Sequence, residues 1–576
     1  MNEERKMKRM IEAAAGREKA DLVVKNAKIV NVFTQKIEEG DVAVVEDRIV
    51  GIGSYAGKEE IDAGGKYLIP GLIDGHMHIE STQLTPEELA KAILPHGTTT
   101  LIADPHEIAN VCGADGVNYL AKASARTPLT VKIMFPSCVP ATPYENSGAV
   151  LDSKEIAAHI KDEGIWGLGE YMNYPGVFNG DEEDVNKLSV AQRAGCVVDG
   201  HAPEISGKNL NAYLCGGIRT DHECMSEREI EEKISRGMYV HIREGSATRN
   251  AAANAKAVKA ETLRRFILCT DDRHACDLKR GGHVDNILRI LVKNGVNPLW
   301  AVIMGTLNTA ECYRLTGYGA VAPSYVADMV CVNDLRDFEA AFVIKNGKLV
   351  AKEGKPLFEC ERYEDGKMLS TVHIRPVSEK DFDLYSESED VKVIRLLHHN
   401  VVTEKIVRKV KLTDGKVDIG GTDLLKLAVV ERHKATGNVG LGLIEGYGLK
   451  GGALALTVSH DSHNIIVLGD TNESMCAAVK EIERIGGGMT LVKDGKVVDS
   501  LPLNIAGLIS TLDIDTFEKR LEKLIAKAYA MGVAEDIQPF MSLSFLALVV
   551  IPDIKITDRG LFDVRKFAFT RIEADK

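Results

Sequence analysis

Leu68-Ile69-Pro70-Gly71-Leu72-Ile73-Asp74-Gly75-His76-Met77-His78 begins as an apolar run and ends in two histidines one residue apart. Side chains alternate faces along a strand, so His76 and His78 point the same way from the end of a buried strand. Two imidazoles side by side on rigid backbone suit a metal. Taken alone, the pair is equally compatible with two ordinary loop histidines.

Seven more strand-like runs follow, at 98–103, 131–135, 165–171, 196–201, 217–222, 238–243 and 265–270; the first run spans 67–79. Amphipathic stretches at 85–94, 154–161, 181–194 and 227–236 read as helices between them. Eight βα units over about 250 residues match an α/β (β/α)8 TIM barrel in number and size. Chemistry in such barrels sits at the C-terminal ends of the strands.

The flanks have a different rhythm. Residues 21–67 read as short strands, with a hairpin turning at Glu46-Asp47, and the style returns at 329–333 and 341–350 around an Asn346-Gly347 turn. The expected organisation is a composite β-sandwich domain from 1–70 and 321–372, a barrel over 71–320, and a C-terminal α+β domain over 373–576. In the last, 392–397, 418–420 and 440–444 read as strands, and 474–485 and 516–531 as helices. Residues 1–19 read as a charged helix without an apolar signal core.

A net charge of −13 argues against a nucleic-acid binder, which would show a basic stripe. No apolar run approaches the 18 or so residues of a membrane span. The eleven cysteines are scattered and lack a CxxC pair, which suits a reducing compartment. The expectation is a cytoplasmic protein with neither membrane nor nucleic-acid partners.

The strand ends carry the chemistry. They read His76-Met77-His78, Asp104-Pro105-His106-Glu107, Glu170, Asp199-Gly200-His201, Asp221-His222-Glu223 and Asp271-Asp272. Singly, a strand-end histidine is often structural and an aspartate often caps a helix. Glu170 on an apolar strand is harder to dismiss, because a lone buried carboxylate is costly. Jointly, His76, His78, Glu170, His201, His222 and Asp271 form a metal-ligand set. Imidazoles and carboxylates suit Zn, Mn or Fe(II), and six ligands suffice for two ions sharing a carboxylate. Asp271 is placed to take a proton from water and pass it to a leaving group. The reaction class is hydrolysis at a polarised carbon.

These residues resemble the amidohydrolase superfamily, with Glu170 where many members carry a carbamylated lysine. Pro70–Ser81, Ala103-Asp104-Pro105-His106-Glu107-Ile108, Cys269–Arg273, Val458-Ser459-His460-Asp461-Ser462-His463-Asn464 and Met541–Leu548 look like the bacterial and archaeal adenine deaminases. The resemblance implies hydrolysis of adenine to hypoxanthine and ammonia at two divalent ions, Mn2+ or Fe2+ with Zn2+ possible, in a homo-oligomer of two or more chains. It implies that His76, His78, Glu170 and Asp271 hold one ion and Glu170, His201 and His222 the other. Asp271 would be the general base, Glu170 the bridge, and Asp104 a group near the purine that handles a proton or else caps a turn. His106, Glu107, His241, His460 and His463 would bind substrate, although the SHDSH run could equally hold another cation or structure a turn. The chain lacks the cysteine pair of the mononuclear zinc deaminases. Glu170 leaves open an amino-sugar deacetylase, and the superfamily a cyclic-amide hydrolase.

Overall fold

The computed structural model describes residues 3–246, 248–397 and 402–575. The chain passes from one sheet to another at Gly71. Tyr67–Pro70 pairs within the flank sheet and Leu72–Met77 within the barrel, so the run expected as one strand over 67–79 is two. Pro70 has no N–H to extend a ladder. Gly71 donates its N–H to the Asp328 carbonyl at 2.8 Å. A Cβ at Gly71 would lie 2.3 Å from Thr99 Oγ1, so a larger residue does not fit the crossing.

The remaining strands lie close to their expected positions: Thr98–Ala103, Thr130–Phe135, Ile165–Tyr171, Val197–Gly200, Thr220–Asp221, Tyr239–Arg243 and Phe266–Cys269. All pair in parallel, strands one to five in one run and six to eight in another. Strands eight and one meet through Asp271 N–H to His76 O (3.0 Å) and His78 N–H to Asp271 O (3.3 Å). Strands five and six meet through side chains: Gly200 N–H donates to Thr220 Oγ1 and Ala202 N–H to Asp221 Oδ1, both at 2.8 Å. Those side chains take N–H groups that a backbone ladder would use, and strand six is only two residues long. The result is a TIM-barrel-like α/β fold. Its interior is packed by Ile73, Ile102, Met134, Ile267 and Tyr313.

The outer helices begin where side chains can satisfy their first N–H groups. Thr85 accepts from Glu88 N before Pro86–Ile93, Asp152 from Lys154 N and Glu155 N before Ser153–His159, and Ser226 from Glu229 N before Glu227–Ser235.

Hydrogen bonding joins strands of both flanks in one nine-stranded sheet. Ala20–Asn31 shifts register between Val24 and Ala27. Its first half pairs with Gly57–Asp62 and its second with Tyr67–Pro70. Tyr67–Pro70 in turn pairs with Met329–Val332 from the far flank. The N-terminal helix spans Glu3–Ala14; Met1 and Asn2 of the expected 1–19 helix lie outside the described residues.

The C-terminal segment forms an eight-stranded sheet. Helix Asn472–Ile485 buries Met475, Val479 and Ile482 against Ala455, Ile465 and Val467 on one face. Leu454, Leu456, Ile466 and Leu468 on the other face join the core shared with the barrel. Gly452–Leu456 and Ile465–Gly469 are paired neighbours, and residues 457–464 between them enter the barrel mouth. No helix among the described residues is long and apolar enough to cross a membrane.

Candidate active site

Glu170, at the end of the fourth strand, stands between two pairs of histidines. Its Oε1 lies 3.6 Å from His76 Nε2 and 3.3 Å from His78 Nε2. Its Oε2 lies 3.0 Å from His201 Nδ1 and 3.4 Å from His222 Nε2. Asp271 Oδ1 approaches the first pair, at 3.6 Å from His76 Nε2 and 3.1 Å from His78 Nε2. All six side chains are buried except the half-buried His201. Among the described residues, several triads drawn from them have all ligand atoms within 4.8 Å of one another.

A second set of contacts fixes these groups from behind. His76 Nδ1 is 2.9 Å from Asp199 Oδ2, and Asp199 also accepts from the Thr220 hydroxyl and from Tyr313 Oη (3.1 Å). His78 Nδ1–H donates to the Asp104 carbonyl at 2.8 Å. With the Nδ1 proton of each ring so committed, Nε2 is the nitrogen that faces Glu170 and that a cation can take. Arg243 Nη1 donates to Asp271 Oδ2 at 2.7 Å, and the same guanidinium grips Glu223 with two N–H groups. Asp271 adopts left-handed backbone (φ 56°), a conformation aspartate tolerates better than most residues.

The electrostatics are those of a site built for positive charge. Burial disfavours a charged imidazole at His76, yet Asp199 and Glu170 outweigh it and raise the ring well above its ordinary value. His78 is raised in the same way by Asp271 and Glu170. His201 is pushed up to about 9, burial opposing and Glu170 prevailing. Burial would raise Glu170 and Asp271, but the histidines hold Glu170, and Arg243 holds Asp271, well below the carboxylate range.

The other expected residues divide. Asp104 does not cap the following helix, whose N-cap is Pro105 without a side-chain bond. Its Oδ2 accepts the Glu170 N–H at 2.7 Å. His106 reaches the cluster, with Nδ1 3.4 Å from Glu170 Oε1. Glu107 and His460 pair at 3.0 Å across the domain boundary. His463 is fully buried beside them. His241 lies two residues before Arg243 on the same strand face, one layer deeper. Its ring stacks 6.2 and 6.0 Å from those of His76 and His222, and Nε2 is 3.3 Å from Tyr313 Oη. It does not line the cavity described next.

That cavity, of about 200 Å³, lies between barrel and C-terminal segment. Ser81, Asp272 and His460 give it polar edges; Leu456, Val458 and Phe545 are among its apolar walls. Asp272 also stands within ligand range of His78 and Asp271, which connects the cavity to the cluster.

Asp199, Arg243, Glu223 and Tyr313 had no role in the ligand set expected from the sequence. Asp199 was within reach, because it precedes His201 by two residues and so shares its strand face. Arg243 had a weaker signal, a cation ending an apolar strand. Tyr313 had none.

A closed set of strands whose ends gather four histidines and two carboxylates defines a metal-dependent hydrolase of the amidohydrolase class. Residues 67–350 match the amidohydrolase family, and residues 400–568 match the adenine deaminase C-terminal domain. An adenine deaminase of Clostridium acetobutylicum is 48% identical over 97% of this chain and 99% of its own. One of Nitratidesulfovibrio vulgaris is 48% identical over 98% of each chain, and adenine deaminase 2 of Desulfotalea psychrophila is 46% identical over the whole of both. The chain belongs to the adenine deaminase family.

Proposed function

We propose that the chain hydrolyses adenine to hypoxanthine and ammonia, with His76, His78, Glu170 and Asp271 holding one divalent cation and Glu170, His201 and His222 a second. The observation that carries the assignment is the division of the four histidines between the two oxygens of Glu170. The donor set fits such ions. It is imidazole and carboxylate without thiolate, and donors about 2.0–2.2 Å from an ion fall about 3–3.5 Å apart, close to the separations here. Mn2+ and Fe2+ are the proposed ions, and the same donors accept Zn2+. Bound there, they would supply activated water and polarise the carbon under attack.

The side chains do the rest. Attack at C6 breaks the aromaticity of the purine, so a ring nitrogen must be protonated; over the whole reaction one proton of the water ends on that nitrogen and the other on the departing amine. Asp271, held ionised by Arg243, accepts the proton of the attacking water and returns it to the departing amine. Asp104 contributes by fixing the Glu170 backbone. His106 is close enough to Glu170 to orient it or to meet the base. His241 supports the His76 and His222 rings from below.

We also propose the division into a composite flank domain (1–70 with 321–372), a barrel (71–320) and a C-terminal domain (373–576), working as a cytoplasmic homo-oligomer. No observation favours the amino-sugar deacetylase or cyclic-amide hydrolase readings over adenine. Ultraviolet spectra of metal-loaded protein with adenine test the function: the band should shift to that of hypoxanthine, and no shift with Mn2+, Fe2+ or Zn2+ would overturn it.

A further inference from the structure

The loop 457–464 leaves the C-terminal sheet between two paired strands and presents His460 to the barrel. Its partner there is Glu107, in the first turn of helix His106–Ser124. Glu107 Oε1 lies 3.0 Å from His460 Nδ1 and 3.3 Å from Ser81 Oγ. The single Ser81 hydroxyl proton goes to Asp272 Oδ1 at 2.6 Å. His460 is stacked on Phe545, ring centroids 4.7 Å apart and 14° from parallel. Glu107 therefore holds the Nδ1 proton, Phe545 fixes the ring plane, and Nε2 is left for whatever occupies the cavity that His460 lines.

The neighbouring His463 shows why this group is not a third cation site, although its ligand atoms lie within 4.8 Å of those of Glu107 and His460. His463 Nδ1 accepts the Ser459 N–H at 3.2 Å. The single proton of the neutral ring is then on Nε2, which is a donor and has no lone pair for a metal. His460 Nδ1 is likewise occupied by Glu107. What remains is a donor set for a neutral polar molecule.

We propose that the Glu107–His460 pair, assembled across the domain boundary, is the recognition element for the hydrogen-bonding edge of the base. The proposal rests on the adenine reading above and assigns its substrate side. The cavity has apolar Leu456, Val458 and Phe545 to cover the faces of a flat heteroaromatic ring and His460, Ser81 and Asp272 to meet its edge, and Arg249, Asp277 and Arg280 also line it. Asp272 leads from that edge to the cluster. The C-terminal domain thus completes the substrate site.

The test compares metal-loaded wild type with His460→Phe, His460→Gln and Glu107→Gln, measuring metal content, kcat and KM for adenine, and equilibrium binding of hypoxanthine. Phe keeps the stacking area but removes both nitrogens. Gln places an amide near the position of Nε2. The expected result is two metals per chain in all four proteins. His460→Phe should raise KM and weaken hypoxanthine binding about 100-fold, with a smaller change in kcat. Glu107→Gln should fall between, and His460→Gln should recover to within about 10-fold of wild type. Wild-type KM and binding in His460→Phe, equal losses in the Phe and Gln variants, or loss of a third bound metal would each overturn the proposal. Should wild type itself neither bind nor turn over adenine, the adenine reading falls and this assignment with it, a result separable from failure of the variants alone.

Discussion

The strand-end cluster and the Glu107–His460–His463 group contain the same kinds of side chain, and both include triads with ligand atoms within 4.8 Å of one another. They differ in what touches the far nitrogens. His76 and His78 hydrogen-bond Asp199 and the Asp104 carbonyl through Nδ1, so both Nε2 atoms face Glu170 and are the ones a cation can take. His463 receives a backbone N–H on Nδ1, so that lone pair is taken and the proton of the neutral ring sits on Nε2. Proximity of histidines and carboxylates therefore does not make a metal site. For His76, His78 and His463 the second hydrogen bond of the ring decides between a ligand and a polar contact.

The comparison can be attacked most directly at the bridge. Glu170→Gln should lower turnover roughly 1000-fold or more and leave fewer than two metals per chain, with an unchanged circular dichroism spectrum. Retention of both metals and the normal rate would undo the assignment of the fourth strand. Asp199→Asn removes only the anchor of His76, and outer partners of this kind are worth about 10–100-fold in metal affinity or activity. Competition with a chelator would measure it, and an unchanged affinity would mean that the far nitrogen is not what distinguishes the two groups.

Protons supply a third approach. In the metal-free protein the His201 pKa stands at about 9, burial opposing and Glu170 prevailing, so the ring is protonated at pH 7 and a cation must displace that proton. Metal affinity should rise with pH between about 6 and 9. The stability that His201 gives the metal-free fold has the opposite sign: it is complete below its unfolded pKa of about 6.5 and is lost as pH rises through about 9. Melting temperatures of metal-free and metal-loaded protein should therefore diverge as pH increases. The smallest effect is expected in the other group. His463→Phe removes an acceptor from the buried Ser459 N–H and should cost about 1–3 kcal/mol of stability while leaving both metals in place. A fall in metal content there would erase the distinction.

Much of the site was legible because it is periodic. Residues two apart on a strand share a face, which placed His76 beside His78, and eight apolar runs fixed how many strand ends would meet. The same periodicity misled at residues 67–79, where Pro70 and Gly71 divide an apolar run between two sheets. The flank sheet shows a related limit. Alternating strands announced β-structure, but the register shift in Ala20–Asn31 that routes it through a single sheet has no pattern of its own.

The sequence by itself determined the number of barrel strands, the six polar strand ends and their family resemblance, since each depends on residues close together in the chain. Tertiary structure decided which oxygen of Glu170 faces which histidine, which ring nitrogen carries the proton, and that residues 457–464 reach the barrel mouth. Those outcomes are set by contacts such as His76 with Asp199, Arg243 with Asp271 and Glu107 with His460, whose partners are far apart in the chain and meet only when barrel and C-terminal sheet have packed on a common core.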